Sequence, residues 1–62
     1  MNVKVESCWA GNSNFYFRLT APDGNRYRVR GGTWNRSVAS EALDLISAEI
    51  RVSRKAVRFV HV

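Results

Sequence analysis

The stretch from Phe15 to Gly32 leaves the middle of this chain little choice but a β-hairpin: two runs of alternating side chains are joined by Ala21-Pro22-Asp23-Gly24-Asn25. Pro22 pre-sets φ, Asp23 can bond the backbone just after it, and Gly24 tolerates a positive φ, so each turn residue has its own physical role. Alternation puts Phe15, Phe17 and Leu19 on one face and Tyr16, Arg18 and Thr20 on the other. The return run divides in the same way, with Tyr27 and Val29 set against Arg26, Arg28 and Arg30. One face therefore requires a core, and the other is cationic with an aromatic ring in it.

With 62 residues the chain reads as a single domain, 1–62, near the size at which one hydrophobic core is only just sufficient. Ten Lys and Arg against five Asp and Glu give a formal charge of +5, which makes a polyanion the first partner to consider. Cys8 is the only cysteine, so no intrachain disulfide is available and a reducing, cytoplasmic setting is expected. No run approaches the ~18 apolar residues of a membrane span, and no secretion signal is recognisable after Met1, which reads as a native start.

Ahead of the hairpin, Val3, Val5, Ser7 and Trp9 alternate with Asn2, Lys4, Glu6 and Cys8, predicting a first strand with its valines inward. Ala10-Gly11-Asn12-Ser13-Asn14 is a turn, which makes the first three strands an antiparallel meander. After Gly31-Gly32, Asn35 or Ser37 can cap a helix from about Val38 to Ile50. Ala39, Ala42, Leu43, Ile46 and Ile50 form its apolar stripe, Val38 and Leu45 flank that stripe, and Glu41 suits the early turns. A basic connection, Arg51 to Lys55, leads to a last strand over Ala56 to Val62 in which either Val57 and Phe59 or Val60 and Val62 can face the helix; the preferred choice turns Val57 and Phe59 inward and puts Arg58 on the cationic side. The fold class expected is α+β, in the order β-β-β-α-β: a three-stranded meander with one helix packed on one face and a short C-terminal strand added at a sheet edge, with either edge open to it and the one beside the first strand preferred. Trp9 and Trp34 are assigned to packing.

Catalysis finds few candidates. The sole histidine, His61, stands next to the end of the chain, and no nucleophile-base-orienter set is identifiable, so a non-enzymatic protein is expected. One His and one Cys make a poor start for a metal site, and Gly31-Gly32 lacks the pattern of a phosphate-cradling loop; no cofactor is expected. The helix is acidic on its wet side, which argues against a membrane-surface anchor.

The arginines are more informative. Arg18, Arg26, Arg28 and Arg30, with Lys4 and Arg58, fall on one sheet face and Tyr16 lies among them. Scattered arginines would make a basic protein, whereas alternating ones make a basic plane, and a β-sheet is one of the shapes that enters a DNA groove. The plainer account is a solvated face whose charges discourage edge pairing. The spacing favours nucleic acid, with duplex DNA as the first choice. The alternative is a small accessory or inhibitor protein, of the phage or plasmid type, that docks on an acidic protein partner or pairs through a sheet edge, with a homodimer through Val57 to Val62 as one form of it.

Phe15-Tyr16-Phe17-Arg18, the Asp23-Gly24-Asn25-Arg26 turn, Gly31-Gly32-Thr33-Trp34 and Ala39-Ser40-Glu41-Ala42-Leu43 together resemble the arm-type N-terminal DNA-binding domain of phage and transposon tyrosine integrases. The APETALA2-type domain of plant ethylene-response factors is similar in architecture, with three strands on one helix. The resemblance implies a sheet that lies in the major groove, with Arg18, Arg26, Arg28, Arg30 and Tyr16 contacting bases and phosphates. Asn35-Arg36-Ser37 stands where lysines often open the helix in that pattern, and the strand expected after the helix has no counterpart there.

Overall fold

Val3 and Val5 give Asn2–Trp9 (β1) one apolar face, and Phe17 and Leu19 give Phe15–Thr20 (β2) a face of the same parity beside it. In the computed structural model, which describes residues 1–62, these strands join Arg26–Arg30 (β3) and Arg58–His61 (β4) in one sheet of order β3-β2-β1-β4. β1 pairs with β2, and β2 with β3, in antiparallel register, while β4 runs parallel to β1. A single helix, Arg36–Ile50 (α1), covers one face. No helix is long and apolar enough to cross a membrane.

The hairpin turn forms as its residues dictate. Ala21 N–H donates to Asn25 O at 2.9 Å, Gly24 takes φ 90°, and the Asp23 carboxylate accepts from the Asn25 backbone N–H at 3.0 Å. The core is small. Val3 and Val5 of β1, Phe17 and Leu19 of β2, and Val38, Ala42 and Ile46 of α1 are its buried members. Val57 and Phe59 pack against them, and Arg58 points to the opposite side, as expected. Trp34 closes the core at one end, its ring edge-to-face with Phe17 at 5.1 Å and with Phe59 at 5.2 Å.

Four expectations need correction. The helix starts at Arg36 rather than Val38, because Asn35 and not Ser37 is the cap, its side-chain oxygen accepting from Val38 N–H at 3.0 Å. The buried stripe runs through Val38, Ala42 and Ile46, so Val38 belongs to it rather than flanking it, and Leu43 is half-buried outside the core cluster. The C-terminal segment does not extend from Ala56: a 3-10 turn over Arg54–Ala56, capped by the Ser53 side chain, consumes its first residues, and the strand is Arg58–His61. Finally, Trp9 is 67% exposed and Phe15 55%, although both have the inward parity. Alternation assigns a face, but burial also needs something above that face, and the cover stops at Trp34.

Gly31 marks where the covering layer leaves the sheet. Its N–H donates to Phe15 O at 3.0 Å, and a Cβ added there would lie 2.2 Å from the Phe15 carbonyl carbon. Gly31→Ala is therefore expected to destabilise the protein by about 3 kcal/mol in urea unfolding, since backbone on both sides must move. Gly32→Ala, where nothing lies within 4 Å and only the positive φ of 97° is at issue, should cost about 1 kcal/mol.

Candidate nucleic-acid interface

The face of the sheet away from α1 is laid out in cross-strand rows. Lys4, Thr20 and Arg26 stand side by side, then Glu6, Arg18 and Arg28, then Cys8, Tyr16 and Arg30, while Arg58 lies beside Asn2 beyond the first row. All seven residues singled out in the sequence, Lys4, Tyr16, Arg18, Arg26, Arg28, Arg30 and Arg58, thus originate on one face. Their side chains do not all stay there.

Arg18 and Arg28 are direct cross-strand neighbours, a pairing that repels. Two contacts relieve it. Arg18 turns to its other neighbour, donating from Nε to Glu6 Oε1 at 3.3 Å and from Nη2 to Oε2 at 2.9 Å. Arg28 leans along the strand instead, and its guanidinium carbon sits 4.2 Å from the centre of the Tyr16 ring. Together with Arg26 and Tyr27 these residues line a shallow hollow of about 240 Å³. A second hollow of about 410 Å³ on the same face takes in Lys4, Thr20 and Val60.

Arg30 leaves the plane. From the edge strand its side chain reaches round to the helix, where Nε donates to Glu41 Oε2 at 3.0 Å and Nη2 to Ser37 Oγ at 2.9 Å. Glu41 therefore serves as an anchor for the sheet edge; the first turn of α1 holds no acidic residue. Arg54 is engaged by Asp44 on the same helix. Lys4, Arg26, Arg28 and Arg58 make no ion pair, and the only carboxylate on this face, that of Glu6, is taken by Arg18.

Alternation places Glu6 on this side, and the structure adds its role as partner to Arg18. The signal was available: strands leaving the five residues Ala10 to Asn14 pair outward from Trp9 and Phe15, and the same count brings Glu6 opposite Arg18. No group of three or more His, Cys, Asp or Glu is close enough to hold a metal ion, and His61 lies with its ring 4.8 Å from that of Trp34. No protein family matches the chain, and neither a curated protein nor a solved structure matches it.

The hydrogen-bonded Arg18 guanidinium holds the Glu6 carboxyl below the usual carboxylate range against a smaller opposing effect of burial, and the charges of Arg26 and Lys4 act in the same direction as Arg18. Because the folded value is the lower one, the contact stabilises the fold fully above the ordinary carboxylate range and is lost as pH falls through the depressed value. A carboxyl-detected NMR titration should place the Glu6 midpoint below that of Glu in an unstructured peptide. Arg18→Ala should bring it back up; a midpoint that does not move with that substitution would mean the pair does not persist in solution.

Proposed function

We propose that this protein is a small, non-enzymatic nucleic-acid-binding module that grips the phosphate backbone with the open face of its sheet. The observation that carries the reading is the hollow between Tyr16, Arg18, Arg26 and Arg28, where cations repel one another and the one nearby carboxylate is already committed. A polyanion lying across that hollow relieves the repulsion and gains charge-assisted hydrogen bonds from guanidinium groups that are exposed before it arrives. Lys4 and Arg58 extend the same plane toward the other edge. Arg28 is the central contact, and Tyr16 beneath it fixes its direction.

The test is electrophoretic or anisotropy titration against duplex and single-stranded oligonucleotides over a range of salt. Affinity should fall steeply, with a log–log slope of about −0.9 per neutralised phosphate on B-DNA and about −0.7 on a single strand. Arg28→Ala should weaken binding and make the slope shallower by about 1. Arg30→Ala, at a guanidinium already held by Glu41 and Ser37, should leave affinity almost unchanged. Absence of retardation at low salt with either kind of oligonucleotide would remove the reading.

A further inference from the structure

Trp9 and Phe15 are direct cross-strand partners, and both are more than half exposed. They stand on the helix side of the sheet but beyond its cover, since Trp34 closes the core over Phe17 and β4 reaches along β1 only as far as Val5. The β1–β2 tip therefore projects from the body with two uncovered aromatic rings.

The tip is hydrogen-bonded within itself. Ala10 N–H donates to Asn14 O at 2.8 Å and Asn14 N–H to Gly11 O at 2.9 Å, and Gly11, Asn12 and Ser13 all take positive φ, an arrangement that Asn12 and Ser13 hold against the ordinary preference of residues with a Cβ. No residue from Ala10 to Asn14 is charged. Immediately next to the pair, on the opposite face, stand Cys8 and Tyr16, and the Arg28 guanidinium lies over the Tyr16 ring. Apolar rings at the margin of a cationic plane, on an uncharged support, offer flat surfaces for stacking and no cation for a phosphate.

Building on the phosphate-binding role of the basic face, we infer that the nucleic acid is single-stranded, and that bases of a strand held by Arg26 and Arg28 turn over the end of the sheet to stack on Phe15 and Trp9. A duplex keeps its base faces stacked against one another and resists bending, so it can use the cations but not the rings. A flexible single strand can use both, and stacking is tolerant of sequence because every base has a π-face. The expectation of duplex DNA rests on the basic plane and on the resemblance to integrase arm-type domains, with Trp9 assigned to packing.

The experiment compares an oligothymidylate of about ten nucleotides with a duplex of equal length at matched salt, reading anisotropy and intrinsic tryptophan emission. The oligothymidylate should bind more tightly and quench emission, and the quenching should vanish in Trp9→Phe, since Trp34 is half-buried with its ring packed against Phe17, Phe59 and His61, away from the tip. Trp9→Ala and Phe15→Ala should each weaken the single strand by about 5- to 100-fold and leave the duplex unchanged. Arg28→Ala should weaken both. Near-UV circular dichroism from Trp34 verifies that each variant is folded. Equal single-strand affinity in Trp9→Ala, or self-association that depends on Trp9 while binding does not, overturns the inference and leaves the basic face standing. Failure of the unaltered protein to bind either oligonucleotide overturns both.

Discussion

A four-stranded sheet has two faces, and this chain has one fifteen-residue helix with which to cover them. That shortage governs the rest of the molecule. One side of the sheet must face water, so every second residue of β1, β2 and β3 has to be compatible with solvent, and in β3 each of those positions is an arginine. On the other side the helix and Trp34 cover only the middle of the strands. The core is consequently confined to Val3, Val5, Phe17 and Leu19 beneath Val38, Ala42 and Ile46, and inward-facing residues beyond that zone are left bare.

How the charges are distributed follows from the same arrangement. Ion pairs as exposed as Arg30–Glu41 and Arg54–Asp44 add little to stability, but they decide where the side chains go. The acidic helix draws cations from the sheet edge and from the segment that follows it. The open face keeps Lys4, Arg26, Arg28 and Arg58 unpaired, and its single carboxylate holds the one arginine that would otherwise confront Arg28 most directly. Electrostatic repulsion is concentrated where it is not cancelled, and that is where a polyanion gains most.

Much of this was legible in the residues themselves. The turn chemistry of Ala21 to Asn25 and the parity of the hairpin fixed which side chains share a face, because a strand offers only two. For the last strand parity leaves two choices, Val57 and Phe59 or Val60 and Val62, and the first pair is the one packed against the core. What parity does not contain is extent. Trp9 and Trp34 are the same residue type, yet one is covered and the other is not, and the difference lies in where the covering layer stops. Nor does it contain reach: Arg30 has the correct parity for the basic face, but at an edge strand a long flexible side chain finds Glu41 round the corner. Nor does spacing alone contain the direction in which the helix faces, because Val38-Ala42-Ile46 and Ala39-Leu43-Ile46 are both apolar stripes, separated by a fraction of a turn.

The parallel pairing of β4 with β1 joins the two ends of the chain, with the amino terminus bonded to the Ala56 carbonyl and Val62 N–H donating to Val5 O at 3.1 Å. Its consequence is kinetic. The two hairpins are local and close quickly, but the final ladder requires a loop spanning almost the whole chain. During synthesis the outer edge of β1, lined by the valines of the core, stays unpaired until the last strand emerges, and in that interval the nascent chain is most open to adding a foreign strand.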